Sequence, residues 1–342
     1  MVDQATQSSA EAVAQLLATA QAAEEAGDLD RALGLFRALQ QIQPRNYRWA
    51  FEEVRLHRKA GRAAEAATAV REALRRWPRA MYRADVRAML PDLASGEGRA
   101  IKALGDDIPS KKQLRRPTIE DDGAADFIIG EGRRKTAVIV FTGLADRMVM
   151  PLPAFDRYLA ELDVTGIYPR DKHRIGFFKG VKSLAEDYDG TIERLEDMLA
   201  EKGIHTVHTL GNSAGGMAAV SYGIDLGART VMGFSAPVAL VAATKDVDRR
   251  VAVFSDRILY GVPESRRDLR GRLAAAPQTT VKLFFGADMP EDRYHASALE
   301  GLPNTELHPI EGMAGHGALY RVAETGQLRR LMRETYGAPG ED

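Results

Sequence analysis

The sequence predicts two parts, an all-α segment of helical repeats followed by a mostly parallel, doubly wound α/β domain. Three observations carry this reading. Like residues near the N-terminus recur at a fixed offset, short apolar runs alternate with helical patterns from about Phe127 onward, and a glycine-flanked serine joins one such run to a helical pattern. A chain of 342 residues also fits two domains better than one.

The repeat comes first. Ala26-Gly27-Asp28-Leu29-Asp30-Arg31-Ala32 returns as Ala60-Gly61-Arg62-Ala63-Ala64-Glu65-Ala66, and Pro44 and Pro78 keep the same spacing. Each proline closes a helical pattern: Ala32, Leu35, Phe36 and Leu39 in one, Ala66, Ala69, Val70 and Ala73 in the other. A period of about 34 residues, with Gly at the inter-helix turn and Pro at the exit, resembles tetratricopeptide repeats. Small side chains let paired helices approach while Leu and Phe fill the seam, and two such pairs need a cap. The helical pattern around Met81–Leu93 or the second domain is expected to supply it. The repeats are expected to span residues 1–94 and to offer a surface to a protein partner.

Residues 95–124 read as a solvated linker, because Gly96, Gly98 and Pro109 mix with Lys111-Lys112, Arg115-Arg116-Pro117 and Glu120-Asp121-Asp122. The α/β domain then occupies residues 125–342. Its strands are expected at Phe127–Ile129, Ala137–Phe141, Val164–Tyr168, Thr206–Leu210, Thr230–Phe234, Val281–Phe285 and Thr305–Pro309. Helical patterns fall at Leu184–Lys202, Ala214–Leu226, Arg293–Leu299 and Ala318–Tyr336. That alternation predicts a parallel sheet covered on both faces. The strandless interval at about 237–279 is expected as an insertion over the sheet's carboxyl edge.

Composition narrows the function. With 47 Lys+Arg against 48 Asp+Glu the net charge is -1, so no global field recruits nucleic acid. The absence of cysteine excludes disulfides, thiolate catalysis and Cys-based metal sites. No His-Glu-x-x-His or similar spacing implies a metal, and no motif implies a cofactor. Without an apolar run long enough for a membrane span or a leader-like start, the expected location is the cytoplasm.

Chemistry concentrates at Gly211-Asn212-Ser213-Ala214-Gly215-Gly216, which follows the apolar run Val207–Leu210 and opens the helical run from Met217. Gly-x-Ser-x-Gly in that setting forms a tight strand-to-helix turn that lifts a serine hydroxyl above the sheet, making Ser213 a candidate nucleophile. A serine needs a base. His316, in Gly312-Met313-Ala314-Gly315-His316-Gly317 just beyond the last strand, has glycines that let an imidazole reach over the sheet. His308 falls inside that strand, and His295 is expected on a helix surface. Two carboxylates compete for the third role after Val281–Phe285: Asp288 lies nearer the strand end and is favoured, whereas Asp292 has the position of an N-cap for the helix at Arg293.

Residues from about 125 to 338 resemble the α/β-hydrolase superfamily through this elbow, the strand order and Gly315-His316-Gly317. The resemblance implies a serine esterase or acyltransferase with a Ser-His-Asp triad and no cofactor, acting on a small-molecule or glycan ester. It also implies an oxyanion hole from the amides of Ala214 and, in Phe141-Thr142-Gly143-Leu144, of Leu144. Threonine stands where many relatives have histidine. Gly143 and Asn212 border that hole as candidate substrate contacts. The charged stretch Tyr168–Phe178 is similar to hydrolase-like proteins associated with bacterial surface-polysaccharide loci, which makes Asp171 and Arg174 candidates for orienting a polar substrate.

Overall fold

The computed structural model describes residues 2–44, 46–77, 107–121, 124–144, 146–248 and 252–337. The chain divides into two compact units, residues 1–102 and 103–342. The pattern expected at Met81–Leu93 and the start of the expected linker lie outside the described residues.

The first unit contains helices α1 (Val2–Glu25), α2 (Leu29–Ile42), α3 (Tyr47–Lys59) and α4 (Ala63–Arg76), each packed on the next. The periodic residues face inward: Ala32, Phe36 and Leu39 are buried with Trp49 and Leu56, and Val70 and Ala73 with Phe51 and Val54. Asp28 caps α2 and Asn46 caps α3, each accepting a backbone N–H with its side chain.

The second unit is built on a seven-stranded sheet. Its elements run β1 (Phe127–Gly130), β2 (Thr136–Phe141), α5 (Leu152–Glu161), β3 (Thr165–Pro169), α6 (Tyr188–Glu201), β4 (Thr206–Asn212), α7 (Ala214–Asp225) and β5 (Thr230–Phe234). Short helices α8 (Thr244–Val247), α9 (Ala252–Gly261), α10 (Glu264–Arg267) and α11 (Leu269–Ala274) fill the interval before β6 (Thr280–Gly286). The chain closes with α12 (Pro290–Ser297), β7 (Thr305–Ile310), α13 (Ala318–Glu324) and α14 (Leu328–Tyr336). Spatial order is β1-β3-β2-β4-β5-β6-β7, with β1 antiparallel to β3 and every other pairing parallel. This is an α/β-hydrolase-like arrangement. Strand β2 illustrates why the sheet is covered twice: Ala137, Ile139 and Phe141 enter one apolar core, Val138 and Val140 the other. Among the described residues no helix is long and apolar enough to cross a membrane.

Three local expectations are corrected. The described part of the linker is docked rather than solvated. Arg116 is buried and forks onto Asp156 at 2.7 and 2.8 Å, Ile108 and Ile119 join the core beside α5, and Asp107 accepts from the Tyr158 hydroxyl at 2.9 Å. The helix expected over Ala318–Tyr336 is two, interrupted where Gly326 takes a positive φ of 71°. Helix α5 has no counterpart in the expected patterns, since Pro151 and Pro153 mimic a break, although proline is well accommodated in a first helical turn.

Candidate active site

Ser213 sits between β4 and α7 with φ 56° and ψ −126°, a conformation non-glycine residues rarely adopt. Its N–H donates to Phe234 O at 2.8 Å, so the turn is held by the neighbouring strand. The helix can start this close to the sheet only because of Gly215: a Cβ there would stand 2.1 Å from Phe141 O. The serine is thus placed by backbone packing that leaves it partly exposed.

His316 arrives from the loop after β7. That loop crosses the end of β6 at Gly286, where a Cβ would come within 2.4 Å of Met313 O. Its Nε2 lies 2.9 Å from Ser213 Oγ, and its Nδ1 lies 2.8 Å from Asp292 Oδ1. Asp292 is 1% exposed and His316 29%, so the carboxylate is enclosed while the imidazole keeps an open face. With the carboxylate ionised, the ring proton belongs on Nδ1, which leaves the Nε2 lone pair to accept the serine proton.

The sequence favours Asp288 as the acid, and the geometry places Asp292 against His316 instead. Helix α12 begins at Pro290, so Asp292 occupies its third position and is not the N-cap; Met289 is. Asp288 is exposed, its N–H bonds Met313 O at 3.1 Å, and its side chain lines a cleft of about 900 Å³ that contains neither Ser213 nor His316. His295, expected on the surface, is 1% exposed. It accepts the Ala239 N–H on Nδ1 at 3.3 Å, which puts its proton on Nε2, 3.2 Å from Asp248 Oδ2. His308 lies in β7 as expected, stacked on Phe284 and 3.2 Å from Glu306.

The residues named for the oxyanion hole and substrate contact divide into two groups. Ala214 opens α7, so its amide has no intrahelical acceptor. Among the described residues the Leu144 amide donates to no acceptor either. Gly143 stands beside Ser213: a Cβ on it would be 3.1 Å from Asn212 O and 3.7 Å from Ser213 Cβ. Asp171 and Arg174, in contrast, are committed to protein groups. Asp171 is buried and accepts from the Ile175 and Phe177 amides at 2.7 and 3.1 Å. Arg174 donates to Leu144 O and pairs with Asp146 at 2.9 Å, so it braces the loop that carries the Leu144 amide. The partners of Arg174 lie 30 and 28 residues away, beyond any local pattern, whereas those of Asp171 are four and six residues on, in a turn that the charged stretch does not mark. From the insertion, Arg257 reaches the carbonyls of His173 and Arg174 at 3.2 and 3.4 Å.

No family model matches the chain, and no curated protein matches it. Solved structures do. Esterase 2 from Thermogutta terrifontis is 18% identical, over 68% of this chain and 98% of that one, with a TM-score of 0.42. An S-formylglutathione hydrolase from Agrobacterium tumefaciens is 15% identical over 62% of this chain and 90% of its own, with a TM-score of 0.44. The 2,6-dihydroxy-pseudo-oxynicotine hydrolase is 14% identical over 85% of both chains, with a TM-score of 0.46.

Proposed function

We propose that the chain is a serine hydrolase of ester or acyl groups, with Ser213 as nucleophile, His316 as general base and Asp292 as the acid that orients it. The observation that carries the reading is the unbroken hydrogen-bond line from Ser213 Oγ through His316 to the enclosed Asp292 carboxylate, set on a strand-to-helix elbow. Ser213 Oγ attacks the acyl carbonyl as its proton passes to Nε2. The carbonyl oxygen, now an anion, is stabilised by the amides of Ala214 and Leu144. Collapse of the tetrahedral species expels the leaving alcohol, which takes the proton from Nε2. Water, activated by the same nitrogen, then releases the acid and regenerates the serine.

The N-terminal helices are read as tetratricopeptide-like repeats that recruit a protein partner, on the strength of their spacing and their buried Ala, Leu and Phe seam. The catalytic reading is tested by labelling the full chain with a fluorophosphonate and mapping the modified peptide. Modification at Ser213, abolished in Ser213→Ala, is expected. Labelling at another serine, or none in the folded wild type, overturns it.

A further inference from the structure

The proposed chemistry occupies the carboxyl edge of the sheet. At the opposite edge, where β2, β4, β5 and β6 begin, the strands and α14 enclose a second cleft of about 650 Å³. Four cations line it, Arg134, Arg229, Lys282 and Arg333, against a single carboxylate, Glu334. Glu334 is taken by Arg330 at 2.6 Å, Lys282 by Glu306 at 3.1 Å and Arg333 by Glu161 at 2.6 Å. Arg134 bonds only carbonyls, Tyr336 O at 2.8 Å and Leu162 O at 3.4 Å, and Arg229 has no side-chain partner among the described residues. Among the described residues these two guanidinium groups therefore have no carboxylate partner.

Two buried residues of the lining carry unpaired polar atoms. His208 and Tyr336 are 3% and 1% exposed with rings 4.8 Å apart, and both His208 Nδ1 and Tyr336 Oη lack a hydrogen-bond partner. Buried polar atoms left unpaired are costly and are rarely left so without a ligand or water. Burial, then Arg229 and Arg134, push the His208 imidazole down to about 4, so it stays neutral near pH 7. Burial keeps the Tyr336 phenol protonated. Two cations beside neutral hydrogen-bonding groups match a dianionic oxyanion, and guanidinium forks suit phosphate oxygens.

We infer that this cleft binds a phosphoryl group, free or carried by a small molecule, with Arg134 and Arg229 supplying charge and His208 and Tyr336 the neutral polar contacts. Its volume exceeds a bare phosphate and falls in the range of small-molecule sites. The site is independent of Ser213 chemistry.

The test titrates the full chain with inorganic phosphate and, separately, with ribose 5-phosphate, against chloride at matched ionic strength, reading binding by calorimetry and by the rise in melting temperature. Saturable binding is expected. Arg229→Gln, at an exposed residue, should weaken it about tenfold or more, and Tyr336→Phe should weaken it in the same direction. Arg321→Gln, on the exposed face of α13, should leave it unchanged. Tighter binding of ribose 5-phosphate assigns the phosphorylated small molecule, and equal binding assigns free phosphate. No saturable binding of either anion, or a loss below about threefold in Arg229→Gln, overturns the inference. Fluorophosphonate labelling of Ser213 should be the same in wild type and Arg229→Gln, so failure here is distinct from failure of the catalytic reading.

Discussion

Asp292→Asn is the sharpest probe of the site, because it keeps the shape of a side chain that is only 1% exposed. The carboxylate accepts from His316 Nδ1 at 2.8 Å, which places the ring proton away from Ser213. An amide can donate to Nδ1 and hold the proton on Nε2, the tautomer that cannot take a proton from Ser213. The comparable change in a serine protease triad costs about 10⁴ in turnover, or roughly 5 kcal/mol of transition-state stabilisation. We expect that loss here, in hydrolysis of p-nitrophenyl acetate and in the second-order rate of fluorophosphonate labelling. Stability should change little, since an isostere in the first turn of α12 gives up about 0.3–1 kcal/mol of helix-dipole interaction. Asp288→Asn alters an exposed carboxylate and should leave both rates within about twofold and stability within roughly 0.5 kcal/mol. Wild-type-like rates in Asp292→Asn, or the large loss in Asp288→Asn, would refute the assignment of the acid.

Other expectations follow from the same geometry. Ser213→Gly should abolish labelling yet raise stability by about 1 kcal/mol in denaturant titration, because it relieves the cost of a positive φ. Gly215→Ala drives a Cβ against Phe141 O and should cost about 3 kcal/mol or prevent folding, as thermal melting would show. Arg174→Ala frees the Leu144 loop and should lower kcat about tenfold with little change in KM, a smaller loss than removing an oxyanion donor outright. His208 is depressed to about 4 from 6.5, so the unfolded chain binds a proton first. Stability should fall by roughly 3 kcal/mol as pH drops from 6.5 to 4, and His208→Gln should flatten that slope.

What the sequence revealed depended on how local each signal was. The strands were legible because β2 through β6 are short apolar runs, and Ser213 because Gly211 and Gly215, which the close backbone approach requires, lie beside it in the chain; the glycines flanking His316 have no close neighbour, and the crossing of its loop depends on Gly286 in β6 instead. The choice between Asp288 and Asp292 turned on where α12 starts. Pro290 held that signal, since proline favours the first helical position and moves Asp292 to the third. Arg116 and Asp156 are 40 residues apart, so a charge run that looked solvated hid a buried ion pair. The burial of His295 likewise depends on Ala239 and Asp248, 56 and 47 residues away, and no periodicity within α12 encodes either partner.

Helix α12 has only eight residues, yet it serves two clients from adjacent turns. Asp292 meets the His316 imidazole, while His295, three positions on, clasps the insertion through Ala239 and Asp248. The two grips share one rigid rod, whereas Ser213 is mounted separately on β4. A displacement of the insertion that dragged His295 would act on the carboxylate beside His316 before it acted on the Ser213 hydroxyl. Under the proposed mechanism, such a shift would slow proton transfer with Ser213 still in place.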